Sequence, residues 1–208
     1  MPEQWQARRV RWADGTFKQL DMMLAGTAQQ FLDTALNALA SEDDWRSSLD
    51  ALPVPIYTTD ADGAVTYWNR ACVEFAGREP MLGADRWCVT WRLYSTLGDF
   101  IPHEECPMAE AIRSRKPVRG KIAIAARPDG RRRAFRAYPT PLFGDAGEFT
   151  GAINMLLDVT EEQAGELVEQ SARCGRLARA TTDASAREIL LRMAKTYAET
   201  AATLGSAD

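Results

Sequence analysis

The chain has 208 residues, of which 46% are hydrophobic and 26% charged, a composition typical of a globular protein with one core domain of ordinary size. Its net charge of −4 gives no general attraction to nucleic acid or to an anionic membrane. The N-terminal stretch lacks the apolar segment of a secretory signal, the apolar runs are too short to span a bilayer, and the four cysteines form no CxxC pair. We therefore expect a cytoplasmic protein with reduced thiols and with neither a membrane nor a nucleic-acid partner.

Residues 17–39 predict a long amphipathic helix, because apolar side chains recur there at spacings of three and four. This narrow seam consists of Phe17, Leu20, Leu24, Ala28, Phe31, Ala35 and Leu39. Such a seam is typical of a helix that packs on another helix, so it either forms a dimer contact or folds back onto its own domain. The stretch DDWRSSLDAL predicts a short second helix that stops at Pro53. We assign residues 1–47 to an N-terminal helical extension.

One hairpin and two short helices are predicted next. The runs PIYTTD and AVTYWN are strand-like, and ADG at residues 61–63 indicates the turn between them. NRACVEFAG predicts a helix that is capped by Asn69 and closed by Gly77. Residues 78–101 have little periodicity and are predicted to be irregular. PMAEAIRSRK predicts a second short helix, with Pro107 in its first turn.

Three further strands are predicted: GKIAIAA, RRAFRAYPTP and FTGAINMLLDV. Asp129 and Gly130 mark the first turn between them, and GDAGE marks the second. Because hairpins stand at the junctions between consecutive strands, the sheet should be antiparallel. The order of elements therefore predicts an α+β fold with helices on one face of the sheet.

The last part of the chain predicts two amphipathic helices, over residues 160–180 and 185–204, joined by a short turn. Ser185 and Glu188 match a capping box at the start of the second helix. We assign residues 163–208 to a C-terminal helical tail.

Several stretches resemble a PAS domain, a sensor module common in bacterial signalling. TTDADGAVTYWN looks like its first hairpin leading into its first helix, and PTPLFGDAGEFTGAINMLLDVTEEQ is similar to its last hairpin and exit signature. DRWCVTWRLY and IPHEECPMAEAI resemble segments of PAS domains attached to two-component histidine kinases. The resemblance covers roughly residues 48–162, which we assign to a PAS-like sensor domain.

The resemblance implies a five-stranded antiparallel sheet with helices over one face, enclosing a small pocket. It also implies a non-catalytic sensor module that binds a small ligand or a partner and forms a homodimer. Such a module would transmit through its flanking helices to a separate effector, such as a histidine kinase or a response regulator. The resemblance does not identify a cofactor.

The sequence differs from two kinds of PAS protein in residues that their activities require. A histidine kinase needs a phosphoacceptor histidine and an ATP-binding domain, but His103 is the only histidine and lies inside the PAS-like region. We therefore expect no kinase activity. The blue-light flavin version of the fold needs a cysteine directly after an asparagine, whereas Cys72 lies three residues beyond Asn69. We therefore expect no flavin photochemistry.

The stretch PHEECPM is predicted to be a helix start, with Cys106 as N-cap and with the helix N-terminus favouring its thiolate. Other interpretations stay open. A zinc site could use Cys88, His103 and Cys106, with Glu104 or Glu105 as the fourth ligand, and haem could use His103 as an axial ligand. A haem-, metal- or thiol-based redox or gas sensor is thus the alternative function. A second alternative is a small enzyme in which His103 activates Cys106 as a nucleophile.

Further candidate residues lie along the PAS-like region. Trp87 and Trp91 either line a pocket or fill the core. Asn154 is polar in an otherwise apolar strand, and its amide needs partners that are either backbone groups or a ligand. Asp158 and Thr160 are placed to cap the helix after the last strand and are predicted to form a signal junction. The predicted ligand-binding residues are Tyr57, Asn69, Trp87, Cys88, Trp91, His103, Cys106, Phe135 and Asn154.

Overall fold

The structure is a computed structural model that describes the backbone of residues 16–41 and 44–205, with side chains from residue 26 onward. Its helices are α1 Thr16–Ala40, α2 Trp45–Asp50, α3 Arg70–Ala76, α4 Pro107–Ser114, α5 Thr160–Ala180 and α6 Ala184–Gly205. Its strands are β1 Ile56–Asp60, β2 Val65–Trp68, β3 Arg92–Tyr94, β4 Phe100–Ile101, β5 Lys121–Ala126, β6 Arg132–Ala137, β7 Thr140–Phe143 and β8 Phe149–Asp158.

The described strands form one antiparallel sheet in the order β2-β1-β8-β6-β5-β3-β4, with β7 also paired to β8. The five predicted strands are its centre, β2-β1-β8-β6-β5, so the predicted α+β fold is confirmed. Three short strands extend it. β3 and β4 lie in the segment that the sequence predicts to be irregular, because strands of two or three residues carry no period. β7 is the end of the predicted strand RRAFRAYPTP, which is interrupted at Pro139, where the backbone has no N–H to donate.

The side chains of β8 alternate between two buried faces of the sheet. Ala152 and Leu156 belong to the core on one face, called here the inner face, and Asn154 lies between them in the pleat. Ile153 and Met155 belong to the core on the opposite, outer face. Both faces are covered, so the domain has three layers.

The short helices cover the inner face. Phe75 of α3 and Met108 and Ile112 of α4 pack there against Tyr57 and Phe135 of the sheet. The helix ends are as predicted, since Asn69 caps α3 and Gly77 ends it with φ +66°. Cys106 also caps α4 as predicted, accepting from the Ala109 N–H. These helices hold the inner-face residues in fixed positions.

The long flanking helices cover the outer face. Ala28, Leu32 and Ala35 of α1 are fully buried against residues such as Ile56 and Met155, so this part of α1 folds back onto its own domain. Full burial of a leucine such as Leu32 contributes about 1.5–3 kcal/mol. The side chains of the other predicted seam residues Phe17, Leu20 and Leu24 lie outside the described residues.

The C-terminal helices form a hairpin that packs on the same outer face. Leu167 of α5 and Leu204 of α6 are buried with Ile124 of β5. The predicted capping box of α6 is wrong, because Asp183 accepts from the backbone N–H of Ser185 at 2.8 Å, so the cap lies two residues earlier than predicted. None of the helices in the described part of the chain combines the length and apolar character needed to span a bilayer.

Gly151→Ala should destabilise the domain, because Gly151 has φ +150° and an added Cβ would lie 2.0 Å from the carbonyl oxygen of Thr59. That oxygen belongs to the neighbouring strand β1 and cannot move freely, so we expect a loss of about 1–3 kcal/mol in the free energy of unfolding. Urea denaturation measures it. Gly165→Ala in α5 is the control, since its Cβ would meet nothing within 4 Å and a gain of about 0.5–1 kcal/mol is expected. A Gly151→Ala variant as stable as wild type would contradict the close approach.

Candidate functional site

A chain of buried polar groups crosses the inner-face core, with Tyr57 at its centre. The Tyr57 hydroxyl donates to the carbonyl oxygen of Trp87 at 3.0 Å and accepts from Asn154 Nδ2 at 3.0 Å. Asn154 Oδ1 accepts from the backbone N–H of Tyr138 at 3.1 Å. The sequence predicts either backbone groups or a ligand as partners of the Asn154 amide. In the structure the partners are protein groups, one from the backbone and one from a side chain.

Two thiols belong to the same cluster, and both are buried. The Cys106 thiol donates to the carbonyl oxygen of Trp87 at 3.6 Å, the group that also accepts from Tyr57. Cys88, the residue after Trp87, has its sulfur 3.1 Å from Thr90 Oγ1. Their exposed fractions are 1% for Cys106 and 2% for Cys88, so solvent does not reach either sulfur directly.

The interaction between these thiols separates their pKa values. Hydrogen bonding between the two thiols lowers the pKa of Cys88, an effect that burial opposes and the nearby His103 strengthens. The same hydrogen bond, together with burial, raises the pKa of Cys106 well above its ordinary value. The prediction of thiolate character at Cys106 is therefore wrong. Its helix N–H groups do lower the pKa, but the neighbouring thiol and burial have larger effects.

An open groove of about 760 Å³ lies beside this cluster. Its lining residues are Ala61, Asp62, Arg86, Trp87, Ile112, Arg113, Arg115, Glu148 and Phe149. The guanidinium groups of Arg86 and Arg115 lie over the rings of Trp87 and Phe149, at 5.5 and 5.6 Å from the ring centroids. With three arginines, two carboxylates and two aromatic rings, the lining suits a planar ligand that carries negative charge.

Trp87 connects the groove with the buried cluster. Its ring lines the groove, while its carbonyl oxygen accepts from Tyr57 and Cys106 in the core. Its φ of +68° is unusual for a bulky residue. The ring lies so close to Gly63 that a Cβ there would be 2.2 Å from ring carbons, and the Trp87 N–H donates to the Gly63 carbonyl at 2.8 Å. The absence of a side chain at Gly63 therefore makes this conformation possible.

Two predicted ligand-binding residues lie outside both the groove and the polar cluster. Trp91 is 43% exposed, with the Arg92 guanidinium 4.4 Å from its ring centroid. Phe135 is buried edge-to-face against Phe75, with ring centroids 5.8 Å apart. Trp91 is a surface side chain and Phe135 a core side chain.

Asn69 is also separate from the groove, because the protein uses both ends of its amide. Its Oδ1 accepts from the N–H groups of Ile56 at 3.0 Å and Cys72 at 3.2 Å. Its Nδ2 donates to the carbonyls of Val54 at 2.9 Å and Leu49 at 3.1 Å. The Cys72 thiol donates to the Ile56 carbonyl at 3.2 Å, and burial raises its pKa well above the ordinary value. Asn69 thus joins α3 to β1 and to the end of α2.

His103 begins a 3-10 turn, His103–Glu105, directly before α4. Its Nε2 is buried and has no hydrogen-bond partner among the described residues. Within that part of the chain, no three His, Cys, Asp or Glu side chains are arranged to hold a metal ion, so the predicted zinc ligands are not assembled. The thiol of Cys106 bonds to Trp87 and Ala109, not to the imidazole, so the pair required for the enzyme alternative is not formed.

The predicted signal junction joins β8 to α5 through one residue, Val159. Asp158 Oδ1 accepts from the Thr160 N–H at 3.0 Å, as predicted for a cap, and Oδ2 lies 3.2 Å from the Arg133 guanidinium. Thr160 has a different contact from the predicted one, because its Oγ1 accepts from the Ala134 N–H of β6 at 3.1 Å. The Val159 N–H donates to the Ala134 carbonyl at 3.0 Å. The start of α5 is therefore fastened to β6.

Several residues of these sites had no signal in the sequence. Thr90 contacts the Cys88 thiol, and Ala134 bonds to Val159 and Thr160 at the start of α5. No local sequence pattern predicts these contacts. Arg115 was predictable only as one of the basic residues in the last turn of α4, and Phe149 only as an apolar strand residue. Their convergence on one groove depends on the packing of the β7–β8 turn against the end of α4.

Tyr57→Phe and Asn154→Leu should each destabilise the protein by about 1–3 kcal/mol, because each leaves buried partners unpaired. The double variant should lose less than the sum, since the two side chains share one hydrogen bond. Denaturant unfolding of all three proteins measures this coupling. Tyr94→Phe is the control, because the half-buried Tyr94 hydroxyl has no hydrogen bond in the described structure, and we expect a change within about 0.5 kcal/mol. Additive losses would contradict the direct Tyr57–Asn154 bond.

Three solved structures illustrate what this chain is similar to. An RNA-binding light-oxygen-voltage receptor is 23% identical, with a TM-score of 0.47, and the match covers 65% of this chain and 38% of the receptor. The PAS domain of the fruit-fly ELK potassium channel is 12% identical, with a TM-score of 0.45 and coverage of 56% and 95%. The light-oxygen-voltage domain of a blue-light activated histidine kinase from Erythrobacter litoralis is 20% identical, with a TM-score of 0.39 and coverage of 52% and 97%.

This chain thus spans well under half of the RNA-binding receptor. No curated protein matches the chain. The family model described as the PAS fold matches residues 49–164, more than half of the sequence, and the chain therefore belongs to the PAS-fold family.

Proposed function

We propose that this chain is a non-catalytic sensor module that binds a small ligand or a partner and transmits through its flanking helices to a separate effector. The observation that carries the proposal is the two-sided sheet. Its inner face holds the polar cluster with Tyr57 and Asn154, and its outer face holds α1, α5 and α6. A change at one face can therefore reach the helices on the other through a single layer of strands.

The route from input to output is short. Asn154 and Asp158 lie on the same strand, β8. Only Val159 separates the end of β8 from the start of α5. The start of α5 is bound to β6 through Val159 and Thr160 at Ala134. A shift of β8 relative to β6 would change these hydrogen bonds and the direction in which α5 leaves the sheet.

The C-terminal hairpin offers a surface for the output. Large apolar side chains on α5 and α6 are exposed: Val168, Leu177, Ile189, Leu191 and Met193. Such residues support self-association into a homodimer or contact with an effector such as a histidine kinase or a response regulator. We propose residues 1–47 and 163–208 as the output extensions of a sensor domain at residues 48–162, working in the cytoplasm without nucleic-acid or membrane contacts.

The groove beside Trp87 is the proposed ligand site. Of the residues predicted to bind a ligand, Trp87 lines this groove, and Tyr57, Cys88, Cys106 and Asn154 lie behind it in the polar cluster. A ligand that contacts the Trp87 ring could shift the Trp87 carbonyl oxygen, which accepts hydrogen bonds from Tyr57 and Cys106. Ligand contact and the buried cluster are thereby linked through one residue.

Asp158→Ala should leave the domain folded but change self-association or effector binding through residues 160–204. The variant loses the cap on the Thr160 N–H and the contact with Arg133. Losing a cap destabilises a helix start by about 1 kcal/mol, which shifts a balanced two-state equilibrium about fivefold. Analytical ultracentrifugation measures the oligomeric state, and circular dichroism checks the fold.

Asp183→Ala is the matched control for this junction. Asp183 also bonds to free N–H groups at a helix start, accepting from the Ser185 N–H of α6 at 2.8 Å, but it lies at the tip of the helical hairpin rather than at the sheet. We expect its association to differ from wild type much less than that of Asp158→Ala. Equal effects of the two variants, or none, would show that the junction transmits nothing specific.

Arg115→Gln should weaken binding of an anionic aromatic molecule to the groove. The fluorescent dye anilinonaphthalene sulfonate is a suitable probe, because it combines fused rings with one negative charge. Removing one charged partner at a solvated site changes affinity by about 1 kcal/mol, or roughly fivefold. Arg179→Gln, at the exposed end of α5, removes the same charge away from the groove and should leave dye titrations unchanged. Equal weakening by both variants would contradict a specific site.

A further inference from the structure

Two of the four cysteines, Cys88 and Cys106, lie next to each other in the inner-face core. The Cys106 sulfur lies 3.6 Å from the carbonyl oxygen of Trp87, and Cys88 is the next residue along the chain. The other two cysteines are elsewhere. Cys72, near the start of α3, donates to the carbonyl oxygen of Ile56 in β1, and Cys174 lies on α5. The pairing of Cys88 with Cys106 therefore comes from the packing of α4 against the Trp87 turn.

We propose that Cys88 and Cys106 form a reversible disulfide in response to a hydroperoxide, so that the thiol pair is a covalent redox site of this domain. This inference rests on the proposed sensor function and names one input for it. The Cys106 sulfur lies 3.6 Å from the Trp87 carbonyl oxygen, and the Cys106 thiol is also within hydrogen-bonding contact of the thiol of Cys88, the next residue along the chain. Trp87 also lines the open groove with its ring, so the thiol pair adjoins, through this one residue, a groove that a small oxidant can enter.

The two thiols have complementary chemical properties. Hydrogen bonding with the Cys106 thiol lowers the pKa of Cys88, which favours Cys88 as the attacking thiolate. Cys106, with a raised pKa, stays protonated and acts as the resolving thiol. A thiolate beside a resolving cysteine is the arrangement found in redox-sensing cysteine pairs.

The reaction balances with the hydroperoxide as oxidant. The Cys88 thiolate attacks one peroxide oxygen, the O–O bond breaks, and Cys88 becomes a sulfenic acid while hydroxide leaves and takes up the proton released by Cys88. The Cys106 sulfur then attacks the Cys88 sulfur, the S–O bond breaks, and the hydroxide that leaves takes up the Cys106 proton. With hydrogen peroxide the products are one disulfide and two water molecules. The thiols lose two electrons and the peroxide gains them.

Disulfide formation would also alter the buried polar cluster. Cys106 would lose the hydrogen that it donates to the Trp87 carbonyl, and that carbonyl would keep the Tyr57 hydroxyl as its donor. Because Tyr57 also bonds to Asn154 on β8, the redox state of the thiols can reach the strand that leads into α5.

Peptide mapping of the full chain tests the proposal directly. The wild-type protein is treated with a small excess of hydrogen peroxide, alkylated, and digested with trypsin without reduction. We expect peptide Trp87–Arg92 to be linked to peptide Leu93–Arg113 with the loss of two hydrogen atoms, and dithiothreitol to separate them. Conversion of Cys88 and Cys106 to separate sulfinic acids would overturn the proposal. So would two intact thiols under conditions in which Cys174 is oxidised.

Two variants sharpen this test. Cys106→Ser keeps an N-cap oxygen for α4, since serine is a preferred capping residue, and it should abolish the linked peptides and leave a sulfenic acid on Cys88 that dimedone traps. Cys174→Ser removes a cysteine from α5 and should retain the linked peptides. If Cys106→Ser does not fold, the wild-type peptide map still decides the question.

Hydrogen exchange of the reduced and oxidised protein separates this inference from the proposed function. We expect faster or slower exchange in residues 160–204 after oxidation. Linked peptides with unchanged exchange there would contradict transmission through the helices and leave the thiol pair standing. Absence of linked peptides would overturn the thiol pair, while the comparison of Asp158→Ala with Asp183→Ala would still test transmission.

Discussion

The rest of the structure depends on β8, because all of its hydrogen-bonding sides and both of its faces are occupied. It pairs with β1 on one side and with β6 and β7 on the other, and its side chains alternate between the inner and outer cores. Since a slip of one residue would exchange the two faces, its register is strongly determined. Gly151 lies where the Thr59 backbone approaches most closely, and Asn154 is the polar side chain within its buried part. Each layer of the domain is therefore positioned against one strand.

A polar cluster in such a core has to be fully paired, because an unpaired buried amide or hydroxyl destabilises the folded state. Tyr57 meets this requirement by bonding to Trp87 on one side and Asn154 on the other. The partners come from β1, the Trp87 turn and β8, and Cys106 adds the start of α4. A network of this kind cannot change at one member without changing the partners of the others. This interdependence is what makes the cluster suitable as the input side of a sensor.

Most of the fold could be predicted from the sequence, because its elements have local causes. The caps at Asn69 and Cys106 and the five main strands all lie where residue type and periodicity predict them. The failures also have physical reasons. β3 and β4 are too short to show a period, and β6 and β7 form one edge of β8 with a break at Pro139. The cap of α6 is Asp183 rather than Ser185, since two capping residues stand two positions apart and local preference does not choose between them.

The candidate site was less predictable, because its chemistry depends on contacts between distant residues. Asn154 and Tyr57 are separated by 97 positions, so the sequence could show that the amide needs a partner but not which one. The Cys106 thiol does accept a helix N–H, as the local sequence predicts. Packing then added a second thiol and complete burial, whose effects on the pKa of Cys106 exceed that of the helix start. The lowered pKa is that of Cys88, which the sequence alone had placed in an irregular segment. Reactivity in this core is thus a property of the assembled pair, and the Trp87 turn, held in place by Gly63, is the element that assembles it.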